Sequence, residues 1–299
     1  MISTSNWQLY GLAAYFLLFT TAVFGIGVWL TKRRREKPPL EFKLLRGPGE
    51  SLRQRINRFN EDLLFHLYWA AVAPLGAALA VFFLLVWLTP KMRLDLALAI
   101  TAAAAFPVLL ISGRWAVKNV LRFRDDRLGY LGERVVGEWL QPLTSAGYRV
   151  FHDVPAEAGG KKFNVDHVVV GPGGVFAIET KTRRKGRTRP GFEAHKVAYD
   201  GRQLIWPWGE DDFGVRKAEV RARWLSEWLN KMTGLRIAAK PVLALPGWYV
   251  VPKGIGPVLV VNHKQLEGAI LRAEQDVLSN KDIDLVARQL DELCRDVDE

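Results

Sequence analysis

The chain contains almost no cysteine. Among its 299 residues the only one is Cys294, so an intramolecular disulfide is excluded. A zinc site built from several thiolates is excluded for the same reason, while a reducing compartment is compatible with this composition. Low-complexity linkers and internal repeats are also missing from the sequence. The chain therefore has to be divided by its hydropathy and charge.

Acidic residues are outnumbered by basic ones. The 31 Asp and Glu residues stand against 42 Lys and Arg residues, which gives a formal net charge of +11 and a pI near 9.8. A basic excess of this size suits an anionic partner such as nucleic acid or an acidic lipid surface. Charge alone does not choose between these partners.

Charged residues are missing from three stretches near the N-terminus. These are residues 9–30, residues 67–88 and a shorter, alanine-rich stretch at 96–113. About 20 residues of helix, at about 1.5 Å each, cross the ~30 Å hydrocarbon core of a bilayer. We therefore predict three transmembrane helices in a membrane region at residues 1–118. A cleaved signal peptide is the alternative for the first stretch, but no Lys or Arg precedes it and no typical cleavage site follows it.

Basic residues are concentrated between the first two predicted spans and again at residues 114–127. Loops rich in Lys and Arg stay on the cytoplasmic side of a membrane. Three spans then make a multi-pass protein of the cell (inner) membrane, with its N-terminus outside and its C-terminal domain in the cytoplasm. If the third stretch lay only at the interface, the C-terminal domain would emerge on the far side. The basic residues that follow this stretch argue against that alternative, and we expect them to continue the helix out of the membrane.

The rest of the chain has the mixed polar and apolar pattern of a globular domain. Leu128, Leu131, Val135 and Trp139 recur at intervals of three and four, which predicts an amphipathic helix that stops near Pro142. Later segments alternate between valine-rich runs and helical spacing. The predicted strands are 148–154, 163–170, 175–182, 240–245 and 258–261, with a further hairpin near 199–202 and helices at 215–230 and 283–295. This order predicts an α/β sandwich around a mixed sheet.

A strong turn signal, Gly-Pro-Gly-Gly, occupies residues 171–174. If these four residues form the loop of a hairpin, Val170 pairs with Val175. The same register places Asp166 directly opposite Glu179. The sequence therefore predicts two facing carboxylates on neighbouring strands.

Lys181 is two residues after Glu179 and so projects from the same strand face. Facing carboxylates repel each other, which favours either a raised pKa or a bound divalent cation. Oxygen ligands at this spacing suit Mg²⁺ or Mn²⁺, held by Asp166 and Glu179. Such an ion activates a water molecule for attack on a phosphodiester, and Lys181 would orient that water or neutralise the transition state. The alternative is a surface Glu/Lys pair with an aspartate neighbour, contributing about 0–1 kcal/mol.

Three segments carry a recognisable pattern: Gly-Glu at 132–133, Asn-Val-Asp-His-Val-Val-Val at 164–170 and Phe-Ala-Ile-Glu-Thr-Lys at 176–181. Together they resemble NERD, a nuclease-related domain of the PD-(D/E)xK nuclease superfamily. The resemblance covers about residues 127–269. Residues 234–246 are similar to a strand near the end of the family's domain. Residues 270–299 then form a C-terminal helical extension.

The resemblance implies a restriction-endonuclease-like core, in which a mixed sheet is flanked by helices. Asp166 and Glu179 match the family's acidic pair, Lys181 matches its catalytic lysine, and Glu133 matches the acidic residue on its helix. A solvated position on the helix is the alternative for Glu133. The sequence departs from the family at residues 212–217, where Asp-Phe-Gly-Val-Arg-Lys replaces the Asn-Pro and downstream Gln that are common there. This departure puts substrate contacts from the following helix in doubt.

A basic segment continues from the proposed metal site. Phosphate groups of a nucleic acid would bind there, and docking to anionic lipid or a plain solvated turn are the alternatives. Its residues are Arg183, Arg184, Lys185, Arg187 and Arg189.

Two aromatic side chains, Trp206 and Trp208, lie in a predicted loop. Stacking on bases is one hypothesis for them, and packing within the domain is the one that we favour. His167 points to the strand face opposite Asp166 and is interpreted as a structural histidine.

The leading hypothesis is a membrane-anchored, Mg²⁺-dependent, endonuclease-like hydrolase that acts on DNA, with RNA as the less favoured substrate. The alternative is a non-catalytic membrane scaffold that uses the same fold to bind nucleic acid or lipid. The sequence leaves the oligomeric state open.

Overall fold

The computed structural model describes residues 43–297 apart from 64, 66–69, 71 and 274–277, together with isolated helical positions between 15 and 29. The predicted first span, 9–30, falls outside the described residues except at those isolated positions. The helices are α1 (Glu50–Glu61), α2 (Ala73–Leu88), α3 (Leu94–Leu140), α4 (Phe213–Thr233), α5 (Leu266–Arg272) and α6 (Asn280–Cys294). The strands are β1 (Leu44–Leu45), β2 (Arg149–Ala158), β3 (Lys161–Gly171), β4 (Gly174–Thr180), β5 (Lys196–Tyr199), β6 (Leu204–Trp206), β7 (Gly209–Asp211), β8 (Ala239–Ala244), β9 (Tyr249–Pro252), β10 (Leu259–Val261) and β11 (Arg295–Val297).

The chain forms two compact units. One contains Met1–Pro39 and Arg55–Asp125, and the other contains Leu40–Gln54 and Asp126–Glu299. Helix α3 contributes to both units, because the boundary falls within it. The predicted membrane region, residues 1–118, includes residues 43–54, which belong to the unit of the C-terminal domain.

One helical segment within the described ranges is long and apolar enough to cross a membrane, judged by length and composition. It is Leu94–Ala146, which includes the predicted third span, while the helix at Pro74–Leu88 is shorter. The three predicted spans are thus reduced to one candidate in the described part of the chain. The third stretch looked short in the sequence because it ends at the charged Arg114. A charge does not end a helix, and α3 continues past it, as predicted for residues 114–127.

The central sheet of the second unit has five strands in the order β10-β8-β4-β3-β2. Strands β2, β3 and β4 are antiparallel, whereas β4, β8 and β10 run parallel. Helices flank the sheet on both faces, so the predicted mixed α/β architecture is confirmed. Helices α4 and α6 pack on the face that carries Val168 and Ala177, and α3 and α5 pack on the face that carries Val169 and Phe176.

The buried face of α3 differs from the predicted one. Leu131 and Trp139 were expected to face the core, but their exposed fractions are 51% and 39%. The helix instead buries Gly132, Glu133, Val136, Gly137 and Leu140. Glycine and glutamate contribute no hydrophobic signal, so the apolar periodicity favoured the wrong side of the helix.

A second sheet, in the order β7-β6-β5-β9, packs beside α4. It contains the predicted hairpin, since Tyr199 pairs with Leu204. Its core includes Trp206 and Trp248, which are each 1% exposed. Trp208 stacks on Trp206 with ring centroids 5.5 Å apart.

Residues 43–54, here called the strap, are fastened to the domain by hydrogen bonds and one strand pair. Strand β1 pairs with β11 near the C-terminus. The guanidinium of Arg46 contacts Oδ2 of Asp153 at 2.5 Å and Oδ1 of Asp296 at 2.6 Å. The backbone N–H and the hydroxyl of Ser51 also donate to Asp153, which is fully buried. The strap is therefore an integral part of the C-terminal unit.

Candidate active site

Strands β3 and β4 separate at a point here called the strand fork. They pair from Gly171 and Gly174 as far as His167 and Ile178, and Val170 faces Val175, so that predicted pair is confirmed. The loop between them has two residues rather than the four expected, because the flanking glycines are themselves paired.

Asp166 and Glu179 are the next residues on the two strands, just beyond the last pair at the fork. The ladder therefore ends one step before the predicted Asp166–Glu179 pair. Oδ2 of Asp166 instead accepts a hydrogen bond from the backbone N–H of Thr180 at 2.7 Å. Strand β4 continues alongside β8, where Glu179 pairs with Leu243. The fork thus places both carboxylates where the two strands diverge.

Both carboxylates at the fork are buried, with Asp166 4% and Glu179 2% exposed. Burial, followed by repulsion from Asp166, raises the pKa of Glu179 to about 8. Burial also raises the pKa of Asp166, although the charge of Lys217 and the hydrogen bond from Thr180 oppose the shift. Oε2 of Glu179 is buried and has no hydrogen-bond partner among the residues that the structure describes. The site therefore holds carboxylate oxygens whose charge the protein compensates only in part.

Glu133 reaches the same cluster from helix α3. It is 6% exposed, and within the described part of the chain its buried Oε2 has no hydrogen-bond partner, so it is not the solvated position considered as the alternative. Burial first, and then the charges of Asp166, Asp153 and Glu179, raise its pKa to about 10.

The close approach of α3 to the site depends on the glycine before Glu133. A Cβ atom on Gly132 would lie 2.0 Å from Cγ2 of Thr182, which follows β4. Only glycine fits between this helix and the strand end, so Gly132 allows α3 to pass close to the end of β4 beside Glu133.

Lys181 lies beyond the end of β4 and is partly buried. Its backbone N–H bonds to the carbonyl of Ala244 at 2.9 Å, and its Nζ lies 4.5 Å from the ring centroid of Phe213. Burial and the neighbouring charge of Arg183 lower its pKa. The aromatic ring lies at the start of α4 and is 59% exposed, so the lysine is held at the solvent side of the cluster.

A second lysine, Lys217 on α4, contacts the cluster directly. Its Nζ donates a hydrogen bond to Oε1 of Glu179. Burial opposes its charge, but the attraction of Asp166 and Glu179 outweighs burial and raises its pKa. Sequence reasoning named this position only as part of a departure from the family pattern and missed the contact.

Arg221 lies one helical turn after Lys217. Its guanidinium stacks 3.9 Å from the ring centroid of Phe163, and its buried Nε finds no hydrogen-bond partner in the described ranges. A signal for this pair was available in the sequence. Gly214, Ala218 and Ala222 form a row of small residues beside the two cations, and such a row lets a helix lie close to a neighbouring strand.

In the basic segment after Lys181, some side chains are held by other residues and others are exposed. Arg183 pairs with Asp211 at 3.1 Å. Arg189 donates to the carbonyls of Trp206 and Pro207. Lys185 and Arg187 are exposed, as is Arg184. The segment therefore combines anchored arginines with cations that face solvent.

Trp206 and Trp248 form hydrogen bonds that stabilise this basic segment. Nε1 of Trp206 donates to Asp211 at 3.0 Å, and Nε1 of Trp248 donates to the carbonyl of Arg183 at 3.2 Å. Trp206 is buried and Trp208 packs on it, which agrees with the packing hypothesis rather than base stacking. His167 is likewise buried, with its Nδ1 2.8 Å from Nδ1 of His152 and away from the carboxylate cluster.

The donor chemistry of the cluster fits a hard divalent cation. Asp166 and Glu179 supply carboxylate oxygens, and no described residue donates a hydrogen bond to the buried Oε2 of Glu179. Within the described residues no three acidic, histidine or cysteine side chains form a group that could hold a metal by themselves. Mg²⁺ usually takes one or two carboxylates and completes its shell with water and substrate phosphate, so two carboxylates are a sufficient protein contribution.

Residues 128–246 match the family model of NERD, the nuclease-related domain. The match includes Glu133, Asp166, Glu179 and Lys181, and also Lys217. No curated protein and no solved structure matches the chain. The match assigns a nuclease-related domain to this segment, which is less than half of the chain, and it assigns no substrate.

Proposed function

We propose that the C-terminal unit is a metal-dependent nuclease that hydrolyses phosphodiester bonds in DNA or, as the less favoured substrate, RNA. The observation that carries this proposal is the buried cluster of Glu133, Asp166 and Glu179 within the nuclease-related segment. Burying three carboxylates is costly unless a function requires them, and among the described residues Glu133 and Glu179 each keep a buried oxygen without a hydrogen-bond partner. A cation and a substrate phosphate would compensate what the protein leaves uncompensated.

Each residue of the cluster has a role in this proposal. Asp166 and Glu179 would hold Mg²⁺ or Mn²⁺, and the hydrogen bond from Thr180 fixes the orientation of Asp166. The bound ion would supply an activated water and stabilise charge on the phosphate. Lys181, at the solvent side, would position the attacking water or neutralise the developing charge. Glu133 would accept a hydrogen bond from metal-bound water through its unpaired oxygen.

The basic segment would bind the nucleic-acid backbone. Lys185 and Arg187 face solvent, while Arg183 and Arg189 are anchored through Asp211 and the tryptophan-bearing strands. Anchored arginines give the segment a fixed shape, and the exposed cations provide sequence-independent attraction for phosphate. Binding through this segment should therefore weaken with salt and show no preference for sequence.

We further propose that the chain is anchored in the cell (inner) membrane with three spans and a cytoplasmic nuclease domain. The strap packs with residues 126–299, so both lie on the same side of any membrane. An even number of crossings must then separate the strap from α3's C-terminal half. Because α2 and the apolar part of α3 lie between them, the two segments cross together as a hairpin or neither crosses. This parity favours a joint crossing over the arrangement in which only one of the two segments crosses.

The function is tested by cleavage of plasmid DNA, single-stranded DNA and RNA by the purified full chain in detergent with Mg²⁺ or Mn²⁺. The full chain is needed because a fragment starting near residue 120 lacks the strap. We expect Asp166→Asn to abolish cleavage, Lys181→Met to reduce it roughly 100-fold or more, and chelator to stop it. Lys231→Met, an exposed lysine at the end of α4, is the matched control and should cleave normally.

The second candidate function is a non-catalytic scaffold that binds nucleic acid or lipid. The contact between Lys217 and Glu179 favours it, since a lysine that neutralises the cluster lessens the need for a metal. A folded chain that binds DNA and never cuts it would support the nucleic-acid version. Salt-sensitive binding to anionic vesicles without cleavage would support the lipid version.

A further inference from the structure

The lysine that contacts the buried glutamate is not the lysine of the Glu-Thr-Lys triplet. Nζ of Lys181 lies over the ring of Phe213, 4.5 Å from its centroid. Nζ of Lys217 instead donates to Oε1 of Glu179. The two lysines come from different elements, the end of β4 and the second turn of α4. They therefore have separable roles.

Lys217 is placed to compensate the charge of Glu179 in the absence of a metal. Glu179 is 2% exposed, so water does not screen its charge, and an unpaired carboxylate there would be strongly destabilising. The hydrogen-bonded ammonium supplies the missing positive charge. It occupies Oε1, one of the two oxygens that Glu179 has available for a cation.

The ammonium group of Lys217 can also move away from Glu179. Its side chain is 32% exposed, in contrast to the glutamate that it contacts. Lysine is a compact point charge on a flexible four-carbon stem, so its ammonium can move into water without unfolding α4. Arg221 lacks this freedom, because its guanidinium is stacked on Phe163. Of these two cations on α4, Lys217 is the one that can exchange with a cation from solution.

We propose that Lys217 is a built-in competitor for the divalent cation: it occupies Oε1 of Glu179 when no metal is bound and is displaced when the metal enters. The inference rests on the proposed function, since it requires a cation at Asp166 and Glu179. The protein then folds stably without metal and binds metal only by breaking an ion pair. Lys217 accordingly acts on metal binding through Glu179, and metal concentration controls which cation occupies the site.

The test measures Mn²⁺ binding rather than cleavage. Mn²⁺ is titrated into the full chain in detergent, free Mn²⁺ is followed by electron paramagnetic resonance, and thermal unfolding is recorded with chelator and with saturating Mn²⁺. We expect Lys217→Met to bind Mn²⁺ roughly tenfold more tightly than wild type, which corresponds to about 1.4 kcal/mol. The same variant should unfold at a lower temperature in chelator and gain more from Mn²⁺. Lys181→Met, whose lysine does not touch Glu179, should lack this gain in affinity.

A second variant covers the case in which Lys217→Met does not fold. Lys217→Arg keeps the charge and adds a planar fork that holds a carboxylate through two hydrogen bonds. It should bind Mn²⁺ more weakly than wild type. Equal or tighter binding by Lys217→Arg, or unchanged or weaker binding by Lys217→Met, overturns the competitor role.

Two further outcomes separate this inference from the proposed function. If wild type binds Mn²⁺ and Asp166→Asn does not, the metal site stands, and the Lys217 variants alone decide the inference. If neither wild type nor Lys217→Met binds Mn²⁺, the metal site itself is wrong and the competitor role falls with it.

Discussion

Glu133 has a pKa far above the ordinary value for its side chain. Burial and the neighbouring carboxylates raise its pKa from 4.5 to about 10. A carboxyl group whose pKa is higher in the folded than in the unfolded protein favours folding only while it is protonated. Its contribution is therefore complete below about pH 4.5 and is lost progressively as the pH rises towards 10. Without a metal, the folded protein should become less stable across this range.

Replacing Glu133 with Gln should remove this pH dependence. In chelator at pH 9, we expect Glu133→Gln to unfold several degrees above wild type, because the amide never carries the buried charge. At pH 5 the two proteins should unfold at similar temperatures. Thermal unfolding of the full chain at pH 5 to 9 provides the measurement. Parallel curves for the two proteins would show that Glu133 is not held protonated by its surroundings.

The positions of Asp166 and Glu179 at the strand fork could be predicted from the sequence, whereas the position of Lys217 beside them could not. A turn of strong sequence signal fixed the register at Val170 and Val175, and local register then brought Asp166 and Glu179 to adjacent positions. The roles assigned to them stay predictions. Lys217 could not be placed in the same way, because its contact with Glu179 depends on how α4 packs on the sheet, which no local pattern encodes.

At the scale of elements, the packing of the strap on the C-terminal domain could not be predicted from the sequence either. Strands β1 and β11 have two and three residues, too few for a hydrophobic alternation to be recognised. Arg46 and Asp296 are 250 positions apart in sequence. By contrast, the longer valine-rich strands of the central sheet were predicted within a few residues of their ends. Long, periodic elements therefore follow from the sequence, while short elements stabilised by distant partners do not.

Loss of the Arg46 side chain should destabilise the C-terminal unit. Asp153 is fully buried, and removing its guanidinium partner leaves an uncompensated buried charge, which costs about 3–5 kcal/mol. We expect Arg46→Met to lower the thermal unfolding midpoint accordingly. The matched control is Arg134→Met, whose exposed pair with Glu138 contributes about 0–1 kcal/mol. Equal effects of the two substitutions would mean that the strap does not stabilise the domain.

A double variant separates charge from packing at this site. Asp153→Asn removes the buried charge that Arg46 compensates, so Arg46→Met should cost less in that background than in wild type. Additive costs would indicate that Arg46 acts mainly through its contacts with Asp296 and Ser51.

At the scale of the whole molecule, the packing of the strap on the C-terminal domain bears on the proposed membrane topology. Lys43 lies in the strap and Lys185 in the basic segment, and both are exposed parts of the same compact unit. Lys91 lies between α2 and α3 and is also exposed. If α2 and α3 cross as a hairpin, Lys91 must lie on the opposite side of the membrane from the other two lysines.

The scarcity of cysteine makes this topology directly measurable. Cys294 is buried, 1% exposed, so a cysteine introduced at the surface would be the main reactive thiol in the folded chain. We expect a membrane-impermeant maleimide to label Lys91→Cys in intact cells, and to label Lys43→Cys and Lys185→Cys only after the membrane is permeabilised. Labelling of Lys91→Cys together with Lys185→Cys under the same condition would mean that the hairpin does not cross. Labelling of Lys43→Cys and Lys185→Cys on opposite sides would be incompatible with a strap packed on the C-terminal domain. The proposed even number of crossings between the strap and the C-terminal domain therefore depends on the contact between Arg46 and Asp153 as much as on the apolar helices.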